Sequence, residues 1–270
     1  MPLDITFMHL DLNSPSSIAS FAAHLQREHK ALHYLINNAG VSSHHVDVQD
    51  KPTVATNGVE MVFQVDYLGH YEMTNLLLPQ LREAGRSMQA RIVAVSSGVH
   101  AKATIGVDGS TAWDADSLMR NTNRYGQAKL AQIMHVQSLQ RSFDADGAEG
   151  GAASIKAVAV TPGFIPGTGF FKGLFPEAGA KYVLFTLLAW PLVWLLGRSN
   201  ERGAQVIVMA ALDQKVEGGS YWSNCLQKQP TGKDGIANDA TAQRRLEILS
   251  DTLVSDGAMD DALQKNFNFV

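Results

Sequence analysis

Residues 91–97 read RIVAVSS, four consecutive small or β-branched apolar residues that stop abruptly at two serines. A run so short and so continuous suits a strand buried on both faces better than one side of a helix. Similar runs occur at ITFMHL (5–10), HYLINN (33–38) and IKAVAVTP (155–162). Between them lie longer segments of helical periodicity, at 16–30, 60–84, 124–143 and 200–212, with Ser14 or Ser16 as the cap of the first. Strands that alternate with helices and are nearly unbroken in hydrophobes predict an α/β fold, a doubly wound parallel sheet covered on both faces.

The whole chain fits that architecture. At 270 residues and 45% hydrophobic content it can fill one large core, so residues 1–270 read as a single domain. A net charge of −4 and a pI near 6.1 provide no basic field for nucleic acid. One cysteine, Cys225, leaves no internal disulfide and no cysteine-built metal site. His44 and His45 are adjacent in a polar stretch, which reads as a solvated loop rather than a metal site. No metal site is expected. The N-terminal MPLDITFMHLDL carries no secretory signal pattern, and the location expected is intracellular, cytoplasmic or at a membrane surface, with organelle targeting left open. DADGAEGGAAS (144–154) and QKQPTGKDGIANDA (227–240) read as surface loops, and no feature specifies an oligomeric state.

Chemistry enters with RYGQAKL (124–130). Tyr125 and Lys129 stand four apart on one helical face, and of six tyrosines only Tyr125 has a lysine at that spacing. A fixed ammonium near a phenol favours phenolate, which would make Tyr125 an acid/base group closer to neutral pH. The spacing alone is a weak signal, and the strand ends strengthen it. In doubly wound sheets ligands bind outside the carboxyl ends of the strands. Those ends fall at Asp11, at NNAG (37–40), at Ser96 and Ser97, and at Pro162 and Gly163. Each is ordinary turn chemistry by itself; their order around YxxxK is not.

Taken together, Asp11-Leu12, NNAG, VSS (95–97), YGQAK (125–129) and TPGFIPGTG (161–169) resemble the short-chain dehydrogenase/reductase family over nearly the whole chain. NGVEMVFQVDYLGHYEMTNLLLPQL (57–81), the 28-residue step from Ser97 to Tyr125, and the ending GGSYWS (218–223) with ANDATAQRRLEILSDTLV (237–254) resemble its retinol dehydrogenase and protochlorophyllide oxidoreductase branch. The resemblance implies a Rossmann-type fold and an NAD(P)-dependent oxidoreductase, with NADP favoured over NAD by the branch. It implies that Tyr125 is the acid/base, that Lys129 tunes it and binds ribose, and that Ser97 donates to the substrate oxygen. Adenine contacts would fall on Asp11 and Leu12, ribose contacts on Asn38, Ala39 and Gly40, and nicotinamide contacts on Pro162, Gly163, Phe164, Ile165 and Thr168. These roles make physical sense. Hydride transfer to a carbonyl builds negative charge on oxygen, which a tyrosine proton and a serine hydroxyl can neutralise and orient.

Two departures from the family stand out. The glycine-rich turn between first strand and first helix, where backbone N–H groups hold the pyrophosphate, has no counterpart, and GAEGG (147–151) precedes a strand rather than following one. The sequence opens at what the family would count as its third strand, so the expectation is a fold lacking two strands and two helices. Either an upstream segment supplies them or the cofactor site is lost, and a polypeptide of these residues alone is expected to bind the dinucleotide weakly. The second departure is Asp66, where the family usually has the asparagine that completes the active-site tetrad. Its carboxylate adds negative charge beside Lys129 and would partly cancel the field on Tyr125.

The most apolar stretch is YVLFTLLAWPLVWLLG (182–197), inside a hydrophobic substrate-side segment at 164–198. Its 16 residues would make a helix of about 24 Å, short for a hydrocarbon core of ~30 Å, and Pro191 interrupts it. It reads first as a buried helix or lid over an apolar pocket and second as a peripheral membrane contact. With Trp190 and Trp194 it points to a lipophilic small-molecule substrate. The function expected is hydride transfer between a nicotinamide cofactor and a lipophilic alcohol, carbonyl or activated double bond. The alternative is a cofactor-deficient relic that binds lipid or a partner without catalysis.

Overall fold

In the computed structural model, which describes residues 4–46, 53–105, 118, 120–148, 154–165 and 197–267, five strands lie side by side in chain order. They are β1 (Tyr34–Asn37), β2 (Ala90–Val95), β3 (Ile155–Thr161), β4 (Tyr221–Ser223) and β5 (Leu226–Lys228). β1 to β4 are parallel neighbours, and β5 returns antiparallel on β4. Parallel neighbours require crossovers. α1 (Pro15–Glu28) precedes β1; α2 (Ser43–Val46), α3 (Met61–Phe63) and α4 (Gly69–Ser87) lie between β1 and β2, α5 (Arg124–Ala148) between β2 and β3, and α6 (Asn200–Leu212) between β3 and β4, while α7 (Ala240–Phe267) follows β5. The Ser14 hydroxyl accepts from Ser17 N–H at the start of α1, with Pro15 in the first turn.

Both faces of the sheet are packed at β2 and β3, which is why those strands show no polar alternation. Among the described residues β1 is covered on one face only, with Tyr34 and Ile36 exposed. Leu35, Ile92, Ala94, Ala157 and Ala159 face a core made with Ile18 of α1, Leu77 and Leu81 of α4 and Ile133 of α5. On the opposite face Val93, Val95, Val158 and Val160 pack against Val206 and Ala210 of α6. A third cluster joins Phe63, Tyr67, Leu130 and Met134 to Leu246 of α7.

The periodic segment 60–84 is one helix in the sequence reading and three pieces in the structure. After α3 the chain widens into a π-turn over Gln64–Leu68, closed by Gly69 N–H bonding to Gln64 O, before α4 continues. A π-turn frees carbonyls from the regular ladder. Here the Asp66 carbonyl accepts from Gln132 Nε2 at 2.6 Å and lies 3.2 Å from His70 Nδ1.

Other expectations are corrected. ITFMHL forms no strand; Ile5 and Phe7 are 81% and 91% exposed, and among the described residues β1 pairs with β2 alone. An apolar run becomes a strand only where an edge bonds it; among the described residues no edge bonds this one, although Leu10 at its end packs against the core. His44 and His45 lie in the single turn α2 rather than in an irregular loop. The stretch 227–240 contains most of β5 and a 3₁₀ segment at Lys233–Asn238. α5 continues to Ala148, and residues 149–153 fall outside the described residues.

Candidate active site

The carboxyl ends of β1, β2 and β3 open side by side, and α5 starts beside them. This places Asn38, Ala39 and Gly40 after β1, Ser96 and Ser97 after β2, Pro162 and Gly163 after β3, and Tyr125 and Lys129 on the first turns of α5. Together with Ile165 these residues line one cavity of about 600 Å³, whose far wall is Asn200, Gly203, Ala204 and Ile207 of α6. A second cavity of about 610 Å³ is lined by Ser42, Thr122, Arg124, Phe164, Tyr221 and Ser223, among others. The two share Ser97, Tyr125, Thr161 and Gly163.

At that junction Ser97 and Tyr125 line both cavities. Burial raises the Tyr125 phenol well above its ordinary range, the Asp66 carboxylate raises it further, and the neighbouring Ser97 hydroxyl opposes the rise. The phenol is therefore a proton donor at neutral pH. This differs from the expectation that Lys129 brings it toward neutrality. The Lys129 ammonium is 5.4 Å from the centre of the Tyr125 ring, but it also lies 3.1 Å from Asp66 Oδ2 and donates to the Val95 carbonyl at 3.1 Å. Its charge is largely compensated before it acts on the phenol.

Asp66 lies behind Lys129 on the π-turn, with no side-chain exposure. Its Oδ1 accepts from Val41 N–H at 2.6 Å. A Cβ on Gly40 would meet both carboxylate oxygens at 3.0 and 3.2 Å, so glycine is what lets the NNAG turn close on the carboxylate. Burial raises the Asp66 carboxyl above its ordinary value, while the Lys129 ammonium and the Val41 N–H act to keep it ionised. His70 close by is pushed down to about 4, by burial first and then by the Lys129 charge. It is neutral at physiological pH.

Of the residues expected at the site, Asn38, Ala39, Gly40, Ser97, Tyr125, Lys129, Pro162, Gly163 and Ile165 line the first cavity, and Phe164 lines the second. Asp11 and Leu12 line neither. The Asp11 carboxylate accepts from Asn13 N–H, and the Leu12 side chain is buried in the core under α1. Thr168 and nearly all of 182–197 lie outside the described residues. The wall of the first cavity fits the nicotinamide-riboside end of a dinucleotide: Gly40 and Gly163 bring bare backbone to it, and Ser97, Tyr125 and Lys129 bring hydroxyls and a cation. Gly163 has φ +83°, which strongly favours glycine, and a Cβ there would stand 3.0 Å from Arg198 Cδ.

The sequence reading missed the α6 wall, although Asn200, Gly203, Ala204 and Ile207 follow one helical face and the spacing was there to find. It named Ser96 only as a strand end, without the contact by which its hydroxyl donates to the Lys129 main-chain carbonyl at 2.7 Å. No spacing rule marks that contact.

Residues 2–178 match the short chain dehydrogenase family. The chain is 34% identical over 224 residues to the polyprenol dehydrogenase of Homo sapiens, covering 82% of this chain and 61% of that protein. It is 32% identical over 255 residues to retinol dehydrogenase 13 of Homo sapiens, covering 91% of this chain and 67% of that protein. The chain thus spans about three-fifths to two-thirds of the length of these relatives. Among solved structures, a protein of Mycobacterium paratuberculosis superposes with a TM-score of 0.60 at 27% identity, over 92% of this chain and 75% of that one.

Proposed function

The chain belongs to the short-chain dehydrogenase family, in its retinol dehydrogenase-like branch, and on that premise we propose that it transfers hydride between a nicotinamide cofactor and a lipophilic alcohol or carbonyl. The observation that carries the reading is the placement of Ser97 and Tyr125 together at the junction of two cavities of similar size. The cofactor, when bound, supplies or takes the hydride at its nicotinamide ring. The chain does the rest. Asn38, Ala39 and Gly40 border the ribose, Lys129 offers its ammonium to the ribose hydroxyls, and Pro162, Gly163 and Ile165 border the nicotinamide. Ser97 orients a substrate oxygen in the second cavity, and Tyr125 Oη gives that oxygen its proton in reduction or takes it in oxidation.

The lipophilic substrate class rests on the names of the relatives, polyprenol and retinol dehydrogenases, and on the apolar stretch 182–197. Among the described residues no helix is long and apolar enough to cross a membrane, and the reading of 182–197 as a surface contact with a membrane rests on its sequence. NADP is taken over NAD on the branch likeness. The non-catalytic reading draws no support from relatives named as dehydrogenases. The test is an assay of the purified chain with NADPH or NADH and a series of aldehydes from short to retinoid and polyprenoid, read by nicotinamide absorbance. Activity that rises with aldehyde lipophilicity and is lost in Tyr125→Phe is expected; turnover that survives that substitution, or no turnover with any aldehyde, overturns the proposal.

A further inference from the structure

Asp66 is the one acidic side chain that contacts the Tyr125–Lys129 pair among the described residues, and it has no freedom to leave. Val41 N–H holds one carboxylate oxygen and Lys129 Nζ faces the other. Gln132 Nε2 holds its main-chain carbonyl, and Gly40 packs against the carboxylate. The Lys129 ammonium is thereby held in an ion pair 3.1 Å from Asp66 Oδ2 while one of its donors bonds the Val95 carbonyl. Among the described residues, the other groups around the Tyr125–Lys129 pair add no net positive field. Ser97 is a neutral hydroxyl, His70 is buried and neutral, and Arg124, next in the chain, has its Nε 3.3 Å from the buried Glu60.

We propose that Asp66 is a positioning residue that sets the working direction of this site: by pairing with Lys129 it keeps Tyr125 a proton donor, so that near neutral pH the site reduces carbonyls much faster than it oxidises alcohols. The inference rests on the oxidoreductase reading above. In reduction the carbonyl carbon accepts a hydride from the reduced dinucleotide, forming a C–H bond. The C=O π pair moves onto oxygen, and that oxygen takes the Tyr125 proton. The substrate is reduced, the dinucleotide is oxidised, and the phenolate left on Tyr125 regains a proton from solvent. Oxidation needs Tyr125 as phenolate beforehand, to accept the alcohol proton. A fixed carboxylate beside the ammonium makes that phenolate scarce, since it withdraws the positive charge that would favour it.

Two measurements test this, and the first does not depend on turnover. With tyrosine ¹³C-labelled at Cζ, the Tyr125 resonance, identified by its absence in Tyr125→Phe, is followed against pH in the wild-type chain and in Asp66→Asn. Wild-type Tyr125 should stay protonated to the alkaline limit of the fold, and the variant should ionise at a pH lower by about one unit or more. Identical titrations would overturn the proposal. The second is the pH profile in both directions. Wild-type oxidation should climb about tenfold per pH unit between pH 7 and 10 without a plateau, while reduction stays level; in Asp66→Asn oxidation should plateau earlier. A wild-type oxidation profile already flat near pH 7.5 would sink the idea even if the variant fails to fold. A shifted titration with no turnover in either direction would refute the oxidoreductase reading itself, and the directional claim with it.

Discussion

The Ser96 hydroxyl donates to the Lys129 main-chain carbonyl at 2.7 Å, and in the opposite sense Lys129 Nζ donates to the carbonyl of Val95, the residue before Ser96. This reciprocal pair fastens the first turns of α5 to the end of β2, both partners being buried. It helps to fix where Ser97 and Tyr125 stand relative to each other. Ser96→Ala should cost about 1 kcal/mol of stability, the usual net value of one buried hydrogen bond. It should also lower turnover more than it raises KM, because the two hydroxyls lose their alignment. Urea unfolding beside steady-state kinetics checks both; unchanged kinetics would show that Val95 and Lys129 alone hold the helix.

Removing the hydroxyls themselves should separate their roles. Tyr125→Phe takes away the proton donor and should lower turnover by roughly 10²-fold or more. Ser97→Ala removes an orienting donor to the developing oxyanion and should cost on the order of 10²-fold. Since both act on the same oxygen, the double variant should lose much less than the product of the two. Rates measured with one aldehyde for all four proteins decide it, and independent, multiplying losses would mean that the two hydroxyls do not serve one oxygen.

Gly40 and Gly98 offer a paired test of the packing behind Lys129. A Cβ at Gly40 would press on the Asp66 carboxylate, which is held on both sides, whereas a Cβ at Gly98 would meet nothing within 4 Å. Gly40→Ala should therefore destabilise the fold by about 1 to 3 kcal/mol, as other overpacked buried sites do. Gly98→Ala should stay within about 0.5 kcal/mol of the wild type. Thermal and urea unfolding of the two variants, side by side, measure the contrast. Equal stabilities would show that the NNAG turn can give way.

The alternation of apolar runs and periodic segments was enough to read the parallel sheet, because β2 and β3 are buried on both faces and their sequences carry no other message. The cluster of Ser97, Tyr125 and Lys129 was legible for a related reason: strand ends and helix starts are where a doubly wound sheet puts its ligands. What failed was whatever depended on a partner distant in sequence. ITFMHL has strand composition, yet among the described residues no strand pairs with it. The hairpin β4–β5 has strands of three residues, too short for a period to show, and its turn is formed by Asn224 and Cys225, both at positive φ; Asn is a turn signal and Cys is not. The π-turn at Gln64–Leu68 has ordinary helical spacing, so the freed Asp66 carbonyl could not be foreseen. Asp66 and its weakening of the Lys129 field on Tyr125 were legible as a departure from the family pattern, and the 3.1 Å contact with Lys129 gives that reading its geometry.

Two histidines should make the fold acid-sensitive, and the sign follows from their burial. His135 is pushed down to about 3 by burial alone, and His70 to about 4 by burial and the Lys129 charge. In the unfolded chain both titrate near 6.5. Between about pH 6.5 and these lowered values the unfolded state binds more protons than the folded one, so stability falls as the pH drops. At pH 5.5 each histidine should have removed about 1.4 kcal/mol relative to pH 7.5, or roughly 3 kcal/mol together. Neither ring nitrogen of His135 has a hydrogen-bond partner among the described residues, and the ring packs on Tyr71 with centroids 4.7 Å apart. His135→Phe therefore sacrifices no polar contact and should be neutral or stabilising at pH 7.5. It should also lose about half as much stability as the wild type on going to pH 5.5, provided His70 is intact. Urea unfolding at the two pH values gives the comparison, and equal losses in wild type and variant would mean that His135 is not held neutral by the fold.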